Sequence, residues 1–265
     1  KQPTPFTTST LQQSASNEFK MSPKNTMSAC QTLYEGGFIT YMRTDSTTYS
    51  TDFIETAKKF ILSEYTHEFI RADIDSLSLR AGGDKNAQEA HESIRPTDVQ
   101  LKEVDSKLGV NERRVYKLIW RNTVESCMPD ARFSVIKATV SAPEEHSYRY
   151  SAEQVVFPGW MVVNGYEKIS SIYAYLQSLK KETVIPYNNI SAKLTLQNLK
   201  SHYTESRLVH LLEKNGIGRP STFSSLVDKI QERKYVKKTN VKGKKIRCVD
   251  YELSEDEIVE HEVER

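Results

Sequence analysis

The chain has 265 residues, of which 37% are hydrophobic and 27% are charged, a composition ordinary for a protein with a hydrophobic core. This length suits one large domain or roughly two to three small ones. The formal net charge is only +2, which excludes a global positive field, so any surface for nucleic acid has to be a local basic patch. No apolar run is long enough to span a membrane, and no signal peptide is visible.

The three cysteines, Cys30, Cys127 and Cys248, lie far apart in the sequence. They form no CxxC pair, which argues against a zinc finger, and they are too scattered to indicate a disulfide framework. We interpret them as reduced thiols of an intracellular protein.

The N-terminal part is predicted to contain an extended segment and one helix. Residues 1–20 carry Pro3, Pro5 and a run of threonine and serine, which favours extended backbone. A helix with one apolar face is predicted from about Thr26 to Tyr34, and the pair Gly36-Gly37 ends it.

The segment that follows, from Phe38 to Ser46, combines a strand-forming run with a polar end. In strand geometry alternate residues share a face, so Tyr41, Arg43 and Asp45 point the same way. A phenol with a pKa of about 10 is a poor nucleophile at neutral pH. A nearby guanidinium favours the phenolate and binds two oxygens of a phosphodiester, while a carboxylate holds the guanidinium.

That arrangement would allow a covalent phosphotyrosine to form. The alternative interpretation is a tyrosine that packs on a strand beside an ordinary Arg–Asp pair. Spacing alone favours this second interpretation, because short motifs have many false positives.

The next elements read as mainly helical. Ser50 or Thr51 is predicted to cap a helix with an apolar stripe from Phe53 to Ile61, and a long helix is predicted from about Asn111 to Met128. Between them, Pro96 ends any helix, and His91 and Arg95 are four residues apart, so a helical turn would place both on one face near a phosphate. A histidine in a polar loop is more often simply solvated.

After residue 130 the hydrophobic period changes from helical to alternating. The predicted strands are Phe133 to Val140, Tyr148 to Phe157 and Ile190 to Gln197, which we expect to form one antiparallel sheet. Tyrosines in this region have side chains that could stack on bases, but we expect them to pack instead; they are Tyr148, Tyr150, Tyr173, Tyr175 and Tyr187.

At Thr204 the helical period returns, and the loop from Gly216 to Thr222 opens a further helix. Glycines before a helix N-terminus, with arginine and hydroxyl side chains attached, are suited to a phosphate. The alternative is a plain helix–loop–helix in which Ser221 or Thr222 is the cap. The lysine-rich stretch beyond residue 236 suggests a hairpin around Gly243, and the acidic end from residue 255 is expected to be frayed.

Four ordered blocks together resemble the motifs of type IA DNA topoisomerases: Pro5–Gln12, Ile39–Ser46, Ala90–Thr97 and Gly216–Thr222. The resemblance implies an α+β, multidomain fold. Residues 1–130 would form a mainly helical, winged-helix-like domain with the catalytic tyrosine, residues 131–202 a β-rich arch, and residues 203–265 a helical segment that binds single-stranded DNA. Because Lys1 stands just before the first block, we expect a fragment of a longer protein.

The resemblance also implies an activity and its residues. Tyr41 would attack one DNA strand and become joined to its 5′-phosphate, Arg43 would stabilise the transition state, and His91 would hold a neighbouring phosphate. Another strand would then pass through the break and the cleaved strand would be religated, which relaxes negative supercoils without ATP. The residues implied to contact or position the DNA are Asp45, Arg95, Arg219, Ser221, Thr222 and Arg233. The sequence departs from many relatives at Phe223, where they have Tyr, and at Lys234, where they have Gly.

In this family Mg²⁺ is held by a Toprim domain, through a glutamate and an Asp-x-Asp cluster. No such run is present; Asp73-Ile74-Asp75 lacks the trailing acid. We therefore expect no metal on this chain and no activity from it alone. The expected partners are single-stranded or underwound DNA, with RNA left open, and the remainder of its own polypeptide, in an intracellular monomer without a membrane.

Two other classes stay open on sequence grounds. One is a non-catalytic module that binds single-stranded nucleic acid and has kept the fold without the chemistry. The other is a structural or partner-binding fragment whose sheet is an interaction surface. Binding that collapses with salt would separate nucleic-acid binders from the last class.

Overall fold

A computed structural model describes residues 1–78, 92–142, 145–254 and 257–265 of the chain. The predicted α+β class is confirmed. The helices are α1 (Thr8–Phe19), α2 (Pro23–Glu35), α3 (Thr51–Glu64), α4 (Val110–Ser126), α5 (Ser171–Ser178), α6 (Glu205–Lys214) and α7 (Phe223–Glu232). The strands are β1 (Arg132–Ser141), β2 (Ser147–Phe157), β3 (Asn189–Ala192), β4 (Arg247–Ser254) and β5 (Glu257–Glu264). Over these described ranges, no helix is both long and apolar enough to cross a membrane.

The main hydrophobic core lies among α1 to α4. Helix α3 begins where predicted, because the Ser50 hydroxyl accepts a hydrogen bond from the backbone N–H of Phe53. It buries the predicted stripe, and α4 buries its predicted inward face; these residues are Phe53, Ile54, Ala57, Phe60, Ile61, Val115, Leu118, Ile119 and Val124. The periodicity of the sequence therefore predicted this core correctly.

The prediction of extended backbone over residues 1–20 is wrong, because α1 occupies Thr8–Phe19. The threonine-rich run forms a capping box. The Thr7 hydroxyl accepts a hydrogen bond from the Thr10 N–H at 3.2 Å, and the Thr10 hydroxyl accepts one from the Thr7 N–H at 2.9 Å. Two backbone donors at the start of the helix are thus satisfied, so the run starts a helix instead of avoiding one.

Over the described residues, the strands form two sheets and not one. Strands β1 and β2 form an antiparallel hairpin, whereas β3 pairs with β4 and β4 with β5. Strand β3 is also shorter than predicted, because its pairing with β4 ends at Ala192 opposite Tyr251. The expectation that β3 would join the earlier strands is therefore wrong.

The acidic C-terminal end was expected to be frayed, but residues 257–264 form β5. The ion pair of Lys245 with Glu264, at 2.5 Å, offsets one acidic side chain of β5, and Arg265 pairs with Asp250 on β4 at 2.6 Å. The strand reversal falls between Ser254 and Glu257, and not around Gly243. The segment from residue 203 onward is therefore helical only in its first part.

The tyrosines of the β region do not all pack as expected. Tyr173 is partly buried and its hydroxyl lies 2.7 Å from that of Ser134. The other four are about half exposed; they are Tyr148, Tyr150, Tyr175 and Tyr187.

Glu125 on α4 is 6% exposed, although the sequence pattern did not single it out. Burial raises the pKa of its carboxyl from 4.5 to about 7, and Arg121 opposes that rise. Because the folded-state pKa is raised, the folded state holds this proton more tightly than the unfolded state. The stability contributed by the protonated carboxyl is complete below pH 4.5 and is lost as the pH rises through about 7.

We expect Glu125→Gln to flatten this pH dependence. The wild-type free energy of unfolding should fall relative to that of the variant by at most about 1.4 kcal/mol per pH unit between pH 4.5 and 7. Denaturant unfolding at several pH values measures the difference. Glu232→Gln, which changes an exposed glutamate of α7, should run parallel to the wild type. Parallel curves for Glu125→Gln as well would contradict a buried carboxyl that titrates near neutrality.

Candidate active site

The predicted strand around Tyr41 is a single extended segment and not a ladder strand. Ile39 makes one isolated bridge to Pro96, and no strand of the described sheets includes this segment. It is held instead from two sides. The Thr40 N–H donates to the Arg95 carbonyl at 2.9 Å, and the Thr8 hydroxyl donates to the Met42 carbonyl at 2.7 Å. These contacts satisfy backbone groups that a neighbouring strand would otherwise pair.

The predicted alternation of side chains is nevertheless present. Met42 and Thr44 are buried, whereas Arg43 and Asp45 are exposed and Tyr41 is partly buried. The Thr44 N–H donates to the buried Thr8 hydroxyl at 2.9 Å, which fixes the inward side of the segment. The outward residues therefore share one side, as extended backbone requires.

Tyr41 is positioned by aromatic packing. Its ring lies edge-on to that of Tyr34, with 5.4 Å between the ring centroids, and it packs against the main core. Arg43 and Asp45 form no ion pair with each other or with any other residue that the structure describes. The hypothesis that Asp45 holds the Arg43 guanidinium is therefore wrong for this structure. Within the described part of the chain, Arg43 is therefore an exposed cation without an ion pair.

A cleft of about 160 Å³ joins the tyrosine segment to the glycine loop. One wall comes from α1 and the tyrosine segment, including Thr7, Ser9 and Asp45. The other wall comes from the α6–α7 connection, including Gly216, Gly218, Arg219 and Pro220. Three of the four sequence blocks therefore meet in one place, although more than 150 residues separate the second from the fourth.

A partly buried hydrogen bond joins the two walls of this cleft. The Ser9 hydroxyl, which is 1% exposed, donates to the Glu213 carboxylate at 2.7 Å. Between a second pair of helices, Lys24 Nζ on α2 lies 3.6 Å from Asp228 Oδ2 on α7. Helices α6 and α7 share a small hydrophobic core around Val209 that is separate from the main core. The Ser9–Glu213 hydrogen bond and the Lys24–Asp228 ion pair are polar contacts between these helices and α1 and α2.

The glycine loop has backbone angles that other residues rarely adopt. Gly216 and Gly218 have φ values of +67° and +83°. Within the loop, the Arg219 N–H donates to the Thr222 hydroxyl at 2.8 Å, and that hydroxyl donates back to the Arg219 carbonyl at 3.1 Å. Thr222 occupies the N-cap position of α7, but its side chain closes the loop and does not cap the helix. Ser221 and the Arg219 side chain are exposed beside it.

We expect Gly218→Ala to distort this loop. A methyl group at residue 218 would lie 2.7 Å from Leu226 Cδ1 and 3.1 Å from Thr222 Oγ1, in a backbone conformation that alone costs an alanine about 1–3 kcal/mol. Affinity for a fluorescent single-stranded oligonucleotide should fall by roughly tenfold, since 1.4 kcal/mol is a factor of ten. Gly243→Ala, at an open position without positive φ, is the matched control and should bind like the wild type. Unchanged binding by Gly218→Ala would mean that the loop does not contact the strand.

Among the described residues, Asp45 and Arg219 are the predicted site residues that line the cleft. Tyr41, Arg43, Ser221 and Thr222 lie on the two segments that meet there but do not line it, and Arg95 and Arg233 lie elsewhere. Arg95 gives its guanidinium to Glu92 in two hydrogen bonds of 2.8 Å and to the Pro96 carbonyl, and it lies 4.2 Å from the centre of the Phe53 ring. Arg233 caps the far end of α7, about 15 Å along the helix from the loop. His91 lies outside the described residues.

Sequence reasoning missed Ser9 and Glu213, which shape the cleft. The Thr7–Thr10 capping pattern is visible in the sequence and predicts the start of α1. It thereby places Ser9 in the first turn of that helix. Glu213 had no such signal, because its partner is 204 residues away. The two aspartates that the sequence offered as metal ligands, Asp73 and Asp75, form ion pairs with Arg71 and Lys58. No group of three His, Cys, Asp or Glu side chains suited to a metal occurs among the residues described.

Comparison with known proteins identifies the family. A family model described as DNA topoisomerase matches residues 1–254. The chain is 39% identical over 238 residues to DNA topoisomerase 1 of Buchnera aphidicola, covering 89% of this chain and 27% of that protein. It is 37% identical over 271 residues to the DNA topoisomerase 1 type prokaryotic of Acanthamoeba polyphaga mimivirus, covering 95% of this chain and 31% of that protein.

The fold agrees with the sequence comparison. Full-length topoisomerase I from Thermotoga maritima matches with a TM-score of 0.66 at 27% identity, over 90% of this chain and 39% of that chain. The chain thus spans about a quarter to a third of the curated relatives named above. Because the family model covers nearly the whole chain, the chain belongs to the DNA topoisomerase family, and the type IA resemblance of its four blocks is confirmed.

Proposed function

We propose that this chain supplies the strand-cleaving tyrosine and part of the single-strand-binding surface of a type IA DNA topoisomerase. The observation that carries the proposal is the cleft in which the Tyr41 segment meets the glycine loop, with Arg43 exposed beside Tyr41 and Arg219 exposed beside the loop. A strand laid along these two segments would place one phosphate near Arg43 and another near Arg219. A guanidinium binds a phosphodiester through two parallel hydrogen bonds.

The proposed reaction conserves phosphodiester bonds. The Tyr41 oxygen attacks phosphorus and loses its proton, while the bond from phosphorus to the 3′-oxygen breaks and that oxygen gains a proton. The product is a 5′-phosphotyrosine and a bound 3′-hydroxyl. Passage of a second strand and the reverse reaction then reseal the break and relax negative supercoils, so no ATP is required.

The residue roles follow from position and chemistry. Arg43 stabilises the negative charge that develops on the phosphate, and Arg219 and Ser221 bind the strand backbone. Thr222 shapes the loop through its two hydrogen bonds to Arg219. Asp45 lines the cleft and contributes to positioning the strand there. Arg95 supports the site indirectly: it donates a hydrogen bond to Glu92, which also accepts one from the Ser50 N–H at the start of α3. His91 and Arg233 are proposed to hold phosphates farther along the strand.

Mg²⁺ is proposed to be held by a Toprim domain elsewhere in the polypeptide, where it would stabilise charge at the scissile phosphate. The acidic pair of this chain does not fit that task, since Asp73 and Asp75 are both engaged by cations. We therefore expect the chain alone to bind single strands without cleaving them. The substrate is single-stranded or underwound DNA, with RNA open, and the protein acts as a monomer inside the cell, where the DNA is.

Covalent trapping of the full-length protein tests this function. The protein is incubated with labelled single-stranded DNA and Mg²⁺, denatured, and examined for a protein–DNA adduct. An adduct that depends on Tyr41 supports the proposal. Intact binding without any adduct would favour a non-catalytic module, and absence of binding would favour a structural fragment.

A further inference from the structure

One buried hydroxyl is hydrogen-bonded to the backbone on both sides of Arg43. It belongs to Thr8, the first residue of α1, whose side chain has no exposed surface. The hydroxyl donates to the Met42 carbonyl at 2.7 Å and accepts from the Thr44 N–H at 2.9 Å. The peptide group before Arg43 and the peptide group after it are therefore bound to the same oxygen atom.

The backbone of Thr8 adds another contact to the same segment. Its N–H lies in the first turn of α1, where backbone donors have no partner within the helix, and it donates to the Thr44 carbonyl at 2.9 Å. The turn itself is held by the capping box of Thr7 and Thr10. Thr8 is thus a fixed point to which the residues on either side of Arg43 are attached.

The next residue of this turn is attached to the opposite wall of the cleft. The Ser9 hydroxyl donates to the Glu213 carboxylate of α6 at 2.7 Å, and the glycine loop follows shortly after Glu213. A single turn of α1 thereby relates the backbone of Arg43 to the loop that carries Arg219.

Tyr41 depends less on Thr8 than Arg43 does. The segment before Tyr41 is held by the Thr40 N–H, which donates to the Arg95 carbonyl at 2.9 Å, and the Tyr41 ring packs against the main core. The Arg43 side chain is exposed and forms no ion pair with any residue that the structure describes. Its guanidinium can therefore reach only where the two flanking peptide groups direct the side chain.

We infer that Thr8 is a positioning residue for strand cleavage: its buried hydroxyl fixes the backbone of Arg43 and so places the guanidinium against the phosphate that Tyr41 attacks. The inference rests on the proposed function, because it requires Arg43 to act in cleavage. Thr8 is buried and acts only through Arg43. A misplacement of about 1 Å caused by a mutation away from the reacting atoms can slow a reaction by about 100-fold.

Thr8→Val in the full-length protein removes the hydroxyl and keeps the shape of the side chain. The Met42 carbonyl and the Thr44 N–H then lose a buried partner. We expect the single-turnover rate of adduct formation at saturating single-stranded DNA to fall roughly 10- to 100-fold, with strand affinity unchanged. Thr8→Ser restores the hydroxyl and should recover most of the rate. Thr26→Val makes the same change at a buried threonine of α2, whose hydroxyl donates to the Ser22 carbonyl, and should cleave like the wild type.

A double-mutant cycle separates positioning from a general structural role. In the Arg43→Ala protein, Thr8→Val should have no further effect on the cleavage rate, because the group that Thr8 positions is already absent. A general structural role would slow cleavage by the same factor with and without Arg43, and that result would overturn the inference. A wild-type rate in Thr8→Val would overturn it as well.

Hydrogen–deuterium exchange of peptides that contain Thr44 gives a readout that does not depend on cleavage. The Thr44 N–H should exchange roughly tenfold faster in Thr8→Val than in the wild type, and at the wild-type rate in Thr8→Ser, while peptides from α4 stay unchanged. Unchanged exchange of Thr44 in Thr8→Val would contradict the inference. If Thr8→Val does not fold, Thr8→Ala, which leaves room for a water molecule beside the backbone, is taken through the same measurements.

The two proposals fail in different ways. A wild-type protein that formed no adduct would contradict the proposed function, and the role of Thr8 with it. An active wild type beside an equally active Thr8→Val would contradict only the role of Thr8.

Discussion

Tyr41→Phe in the full-length protein is expected to abolish the covalent protein–DNA adduct completely. The substitution removes the one oxygen that would join to phosphorus and keeps the ring that packs edge-on to Tyr34 and against the core. Strand affinity should therefore stay close to that of the wild type, because the ring and its packing are kept. Denaturing gel electrophoresis after incubation with labelled single-stranded DNA measures the adduct.

The matched control is Tyr34→Phe. Tyr34 is the neighbouring phenol, it is 41% exposed, and its ring centroid is 5.4 Å from that of Tyr41. Its variant should form the adduct at the wild-type level. If Tyr34→Phe lost the adduct and Tyr41→Phe kept it, Tyr34 and not Tyr41 would be the nucleophile. If both variants kept the adduct, neither of these tyrosines would form the phosphotyrosine.

Arg43→Ala should slow strand cleavage by roughly 100- to 1,000-fold, the cost of removing one donor aimed at developing charge. The side chain is exposed and forms no ion pair with any residue that the structure describes, so its removal leaves no partner unpaired. Protein stability should change by less than about 0.5 kcal/mol, as for other surface substitutions. The rate of adduct formation in a single-turnover assay gives the effect on cleavage.

Two further variants separate geometry from charge. Arg43→Lys keeps one positive charge without the planar fork, so its cleavage rate should lie between those of the wild type and Arg43→Ala. Lys137→Ala removes an exposed cation on β1, away from the cleft, and should leave the rate unchanged. Equal rates for the wild type and Arg43→Ala would mean that another cation stabilises the phosphate.

Local rules made much of the helical structure predictable from the sequence. The apolar period and the Ser50 cap identified α3 and the period alone identified α4, because helix start signals and burial stripes depend on residues three or four apart. The same local geometry placed Arg43 and Asp45 on one side of the Tyr41 segment. The threonine run at the start of α1 predicts extended backbone when its prolines are weighed most, although the capping box that starts the helix is equally local.

Pairings over long distances could not be predicted in this way. Residues 257–264 form a strand because β4 is there to pair with them. The Arg95 guanidinium binds Glu92 because of the way the segment after residue 91 folds. Interactions of this kind have no period in the sequence.

The sequence by itself determined the chemistry available to this protein: a tyrosine followed by an arginine in extended backbone, and a glycine loop before a helix. Only the tertiary structure decided that the segments carrying these residues meet at a cleft, that Asp45 lines this cleft without an ion pair to Arg43, and that α6 contacts α1 through the Ser9–Glu213 hydrogen bond. The physical reason is that side-chain type and local backbone are set by neighbours along the chain. The position of a cleft, in contrast, is set by the packing of helices that are far apart in sequence.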